Sequence, residues 1–152
     1  MKTGFISGCF DGFHKGHEYM LKECCKNCDE LWVSVNDDDY IRRIKKREPI
    51  DGIFDRIKNI YKVIGKQSGG FFVLIKDSPI DLIKIIKPDI IFCGDDYTVE
   101  QVVGHELAEV MLIKRIPGIS TTERLKKGQE VTIVSSGTGG KSVFFEKNQK
   151  TS

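Results

Sequence analysis

No stretch of this chain approaches the ~20 consecutive apolar residues that a membrane-spanning helix requires. Nor is there an excess of charge of one sign. Twenty-four Lys and Arg stand against 22 Asp and Glu, a formal net charge of +2 with the two signs mixed along the sequence. That balance argues against nucleic acid as a partner and leaves room for a small phosphorylated ligand, which needs only a local cluster of cations. Cysteine offers no disulfide framework: Cys9, Cys24, Cys25, Cys28 and Cys93 are odd in number and irregular in spacing, as suits a reducing compartment. Cys25 and Cys28 form a lone Cys-x-x-Cys at the end of an expected helix and are read as structural. The opening MKTGFISGCF is too short in its apolar run for a secretory signal and reads as a first strand, so the expected location is the cytoplasm. What remains is an ordinary globular composition, 39% hydrophobic and 30% charged, in a length that fits one domain.

Five short β-rich apolar runs stand out, at residues 3–7, 31–35, 71–75, 89–93 and 110–114. Runs such as FFVLI and DIIFC are continuous rather than alternating, the pattern of strands covered on both faces. Helical patterns lie between them: 14–26, a short one at 37–44, 51–64 with Asp51 as expected cap, 79–87 with Ser78 as cap and Pro79 opening it, 99–110, and 120–127. Alternating strands and helices predict an α/β fold, a Rossmann-like doubly wound sheet of about five parallel strands with right-handed crossovers. In such sheets ligands bind beyond the carboxyl ends of the strands, where strand order reverses. The chemistry is therefore expected just after strands one, four and five.

After Gly128 the pattern breaks, and residues 128–152 read as a hairpin or flexible tail, with strands at 131–134 and 143–145. Its turn, GTGGKS, is a partial P-loop: Ser135 stands where the first glycine belongs, and only ten residues follow Ser142.

Directly after the first strand comes GCFDGFHKGHEYML. His14 and His17 are three apart, so a helix beginning near His14 puts both imidazoles on one face of its first turn. There they join unpaired backbone N–H groups and the positive end of the helix dipole, an arrangement that favours a triphosphate. Gly16 removes a side chain where a nucleotide must lie close to the backbone. The plainer alternative is two surface histidines at a helix start.

The stretch resembles the G-x-F-D-x-x-H-x-G-H signature of the cytidylyltransferase-like nucleotidyltransferases, here Gly8, Phe10, Asp11, His14, Gly16 and His17, with Cys9 inside it. A second signature of that family, I-S-T-T, stands in place within PGISTTERL. The resemblance covers residues 2–127 in order and implies a nucleotidyltransferase domain over 1–127. It implies that His14 and His17 touch the nucleotide phosphates and stabilise charge as the α-phosphate is attacked. Asp11 is expected to assist magnesium, which rides on the triphosphate. Ser120, Thr121 and Thr122 would hold the β- and γ-phosphates at a second helix start, with Arg115 as a further phosphate ligand. In the basic stretch VNDDDYIRRIKKREP, Lys45 is the first choice for the lysine near the α-phosphate and Lys46 the second. Arg56 matches an arginine of the family's E-x-R segment and is a substrate-binding candidate. Gly94, Asp95 and Asp96 resemble the G-D-D-W or G-G-D-Y that lies beside base and ribose, although a turn-forming role for Asp95 is the bland reading.

The reaction so implied moves a nucleoside monophosphate from ATP or CTP to a small phosphorylated metabolite and releases pyrophosphate, by direct displacement. VNDDDYIRRIK, DSPIDLIKIIKPD and YTVEQVVG resemble the nucleotidyltransferase part of ADP-heptose synthases, implying a heptose 1-phosphate-like acceptor for cell-surface carbohydrate. Cys93-Gly94-Asp95 is nearer the glycerol-3-phosphate cytidylyltransferases. An FAD synthetase-like adenylyltransferase and a non-catalytic nucleotide-binding protein are the remaining alternatives. A homodimer is common among such small enzymes.

Overall fold

The structure, a computed structural model, describes residues 1–115 together with two short strands at 134–135 and 141–142. The strands are β1 (Thr3–Gly8), β2 (Glu30–Asn36), β3 (Ser68–Leu74), β4 (Ile90–Gly94), β5 (Glu109–Ile113), β6 (Val134–Ser135) and β7 (Lys141–Ser142). The helices are α1 (Lys15–Lys26), α2 (Asp38–Lys45), α3 (Ile53–Ile64) and α4 (Ile80–Ile86). The sheet order is β3-β2-β1-β4-β5-β7-β6, and β1 to β5 are all parallel. The sheet is the expected five-stranded parallel, doubly wound one. β7 adds parallel to β5, and β6 pairs antiparallel with β7, each of these strands lying nearer the turn than the sequence pattern suggests.

The continuous apolar runs have their explanation in two cores. On one face Ile6, Val33, Val35, Ile90, Phe92, Met111 and Ile113 pack with Met20, Leu21 and Cys24 of α1 and Ile60 and Ile64 of α3. On the other, the alternate residues Phe5, Ile91, Val110 and Leu112 meet Ile83 of α4 and Val99 and Val102. β4 and β5 thus feed both layers, and from Val110 onward every residue of β5 is buried and apolar.

Three local expectations change. α3 starts at Ile53 with Gly52 as its cap, and no side chain closes it, because Asp51's backbone is drawn elsewhere. α4 starts at Ile80 rather than Pro79, and the Ser78 hydroxyl accepts the Ile80 N–H at 3.3 Å. The helix expected at 99–110 is only a 3-10 turn, Val99–Gln101, closed by a Thr98–Gln101 capping box, after which the chain passes through Gly104 at φ 91°. A left-handed glycine interrupts the helical register there, and Cβ at that position would come within 2.8 Å of Ile91. The helix at 120–127 and a domain division near 127 lie outside the described residues.

Candidate active site

Strand order reverses between β1 and β4, and a cavity of about 910 Å³ opens at the carboxyl ends of these strands, lined there by Gly8, Cys9, Cys93 and Gly94. That is where the topological rule puts a ligand. Its walls continue through Asn36 at the end of β2, Tyr40 and Lys45 on α2, and Asp96 and Tyr97 after β4.

The loop after β1 is shaped by two left-handed residues, Phe10 at φ 53° and Gly12 at φ 62°. It delivers the chain to α1 with His14 as the N-cap. The Nδ1 of His14 accepts the Gly16 N–H at 3.0 Å, and the Nδ1 of His17 accepts the His14 N–H at 3.1 Å, a reciprocal capping box made of imidazoles. With Nδ1 of each ring accepting, the neutral tautomer of each carries its proton on Nε2. The ring centroids are 3.9 Å apart, and Phe13 stacks on His17 at 5.3 Å while Phe10 tilts against it at 5.7 Å. His17 is fully buried within this aromatic frame. Gly16 is where the cap requires a backbone N–H, at the second residue of α1.

Asp11 is fully buried and accepts three hydrogen bonds: Arg47 Nη1 at 2.7 Å, the Ile50 N–H at 2.9 Å and the Asp51 N–H at 2.8 Å. These bonds outweigh burial and hold its carboxyl below the usual carboxylate range. Its expected help to a metal is replaced by another task. It lashes the loop after α2 to the loop after β1, with both oxygens engaged. Among the described residues no group of three or more His, Cys, Asp or Glu gathers to hold a metal ion. Magnesium carried on triphosphate oxygens and water would need no such group.

Lys45 and Lys46 separate clearly. Lys45, partly buried, lines the cavity, while Lys46 is exposed in the left-handed C-cap of α2 at φ 60°. Burial lowers the pKa of Lys45, with Arg47 adding to the effect and Cys9 and Asp11 opposing it. A cation so placed gains from an incoming anion. Arg47 escaped sequence reasoning: its Nη2 is buried without a hydrogen-bond partner among the described residues, leaving donor capacity on a side chain already anchored by Asp11. The Cys9 thiol is pushed up by burial, against the pull of Lys45 and Arg56, and Cys93 is pushed up to about 12, chiefly by burial. Protonated thiols are poor nucleophiles.

Arg56 does not reach a substrate in this arrangement. It is fully buried, and its guanidinium donates to the carbonyls of Asp51 at 3.0 Å, Cys9 at 2.8 Å and Asn36 at 2.6 Å and to Asp38 Oδ1 at 2.6 Å. It is a clamp joining the ends of β1 and β2 to the starts of α2 and α3.

Gly94, Asp95 and Asp96 turn the chain at the end of β4, and Asp96 faces the cavity. Asp95 Oδ1 is buried without a hydrogen-bond partner among the described residues. Burial, then the neighbouring Asp96 charge, raise its pKa to about 7 despite Lys114 and Arg115 nearby. Because the folded value lies above the ordinary aspartate value of 3.8, Asp95's contribution to stability is complete below about pH 4, declines as pH rises towards 7, and levels off above that. The expected result is a melting temperature that falls between pH 4.5 and 7.5, with the slope reduced in Asp95→Asn; an unchanged slope would refute the assignment. Arg115 ends this region, its side chain part-buried. Ser120, Thr121 and Thr122 lie outside the described residues, so their meeting with the histidines stays an expectation.

The doubly wound sheet and the histidine pair that caps the helix after its first strand stand where the resemblance to the nucleotidyltransferases expects them. A family model described as cytidylyltransferase-like matches residues 5–150, and the chain belongs to that family. The chain is 37% identical over 138 residues to a Bifunctional protein HldE of Rhodopseudomonas palustris (strain BisB5), covering 87% of this chain and 28% of that protein. It is 39% identical over 130 residues to the Bifunctional protein HldE of Bradyrhizobium diazoefficiens, covering 80% of this chain and 26% of that protein. The chain therefore spans about a quarter of the length of these relatives. It is also similar to a crystal structure of the lipopolysaccharide core biosynthesis protein from Thermoplasma volcanium GSS1, with TM-score 0.55 and 31% identity, covering 64% of this chain and 77% of that one.

Proposed function

We propose that this chain transfers a nucleoside monophosphate from ATP or CTP to a sugar or polyol phosphate resembling heptose 1-phosphate, and releases pyrophosphate. The observation that carries the reading is the paired imidazoles at the start of α1, each with Nδ1 occupied by a backbone N–H. Nε2–H donors and the positive helix end then act together on one anion. A phosphate oxygen of the acceptor attacks the α-phosphorus in line. The bond from that phosphorus to the bridging oxygen breaks, and its electron pair leaves with pyrophosphate. The histidines and Lys45 neutralise charge as it builds, so the side chains position and stabilise rather than form a covalent intermediate. Magnesium would supply further charge neutralisation on the triphosphate itself.

A carbohydrate acceptor draws support from the relatives, one of which is named for lipopolysaccharide core biosynthesis. The second reading, a glycerol-3-phosphate cytidylyltransferase, is favoured by Cys93-Gly94-Asp95 at the end of β4. Pyrophosphate release, measured with ATP and with CTP against heptose 1-phosphate and glycerol 3-phosphate, separates them. Release dependent on the heptose phosphate supports the first, and CTP with glycerol phosphate alone supports the second. Tight triphosphate binding without release on any phosphorylated acceptor defeats both and marks a binding protein.

A further inference from the structure

Part of the cavity wall is not used by the chemistry above. That part includes Tyr40 of α2, Asp77 in the loop before α4, and Tyr97 and Gln101 beyond β4. Asp77 is held in place. Arg43 of α2 donates through Nη2 to Asp77 Oδ1 at 3.1 Å, while its Nε donates to Asp39 Oδ2 at 2.9 Å. The Asp77 side chain is nevertheless 67% exposed, so it retains acceptor capacity that Arg43 does not consume.

We propose that Asp77, oriented by Arg43 and lining the same cavity as Tyr40 and Tyr97, is the subsite for the hydroxyl-bearing part of the acceptor. This rests on the transferase reading and gives the acceptor an orientation. Among the described residues, Lys45 brings a cation to the cavity beside Cys9 at the end of β1, while Asp77 and Asp96 bring carboxylates. A molecule with phosphate at one end and hydroxyls at the other matches these charges with its phosphate towards Lys45 and its hydroxyls towards Asp77. A carboxylate accepts hydrogen bonds from neighbouring hydroxyls, and tyrosine rings cover the C–H faces between them. A second phosphate at this end would instead meet a like charge. Arg43 is a positioning residue: an exposed ion pair adds little stability, so its effect lies in where it keeps the Asp77 oxygens.

The test is steady-state pyrophosphate release with the full chain, using heptose 1-phosphate and singly deoxygenated sugar 1-phosphates, alongside calorimetric titration of the triphosphate. Asp77→Asn and Asp77→Ala are expected to raise KM for the acceptor by about tenfold or more, as for loss of a hydrogen bond to a charged group, and to leave triphosphate affinity unchanged. At least one deoxy acceptor should be weakened against the natural chain and not weakened further against Asp77→Ala. Arg43→Gln should raise the same KM, and Arg43→Lys should restore part of it. A normal melting temperature excludes misfolding as the cause. Turnover with an unchanged acceptor KM in both Asp77 variants overturns this subsite alone, as does an equal loss of triphosphate affinity. No turnover by the natural chain with any sugar 1-phosphate or with glycerol 3-phosphate overturns the transferase reading and the subsite with it.

Discussion

Replacing His17 by alanine is expected to lower kcat by about 10²–10³-fold, the effect of removing one preorganised donor to developing charge. The same change removes the group that accepts the His14 N–H, so stability falls as well, by about 1 kcal/mol for a lost cap interaction. His14→Asn separates the two roles. Asparagine keeps a side-chain acceptor for the Gly16 N–H, so the helix start survives, yet the Nε2–H donor is gone. Single-turnover rates for the natural chain, His14→Asn and His17→Ala, each with a urea melt, distinguish chemistry from folding. Variants with normal stability and normal rate would end the proposal that these rings act on the phosphates.

Arg56→Met is the largest stability change expected in the described residues, a loss of about 3 kcal/mol or more from removing one partner of a buried charged network. Methionine fills much of the same space but leaves three carbonyls and the Asp38 carboxylate without their donor. Arg56→Lys should recover little, because a single ammonium cannot span acceptors on four segments. The urea midpoint measures both. A midpoint within error of the natural chain for Arg56→Met would mean that the four segments hold together without the clamp.

Much of this was legible in advance, and the reasons differ by element. β1, β2, β4 and β5 announce themselves because they are central and their apolar residues are buried on both faces of the sheet. The His14–His17 spacing is informative because a helix start has fixed geometry, so a local motif determines a local arrangement. Arg56 misled because position in a motif says nothing of burial; only the packing of β1 and β2 against α2 and α3 closes solvent from its guanidinium. Asp11 misled similarly, since its partners are 36 to 40 residues away. Asn36 was within reach: it ends β2, at the sheet edge where ligands gather, and it lines the cavity. Asp77 and Tyr40 carried no such signal, because their wall exists only once α2 and the loop before α4 are brought side by side.

One outer border of the sheet has a mechanical consequence of its own. β3 is terminal in the sheet order, and its pairing with β2 slips by a residue between Leu31 and Trp32. There the indole of Trp32 lies so close over Gly69 and Gly70 that added Cβ atoms would come within 2.4 and 2.6 Å of it. The irregularity distorts the hydrogen-bonding rail just where an incoming strand from another molecule would need it straight. Growth of the sheet past β3 is therefore hindered, and chains meeting at high concentration are steered away from stacking strand to strand along this flank.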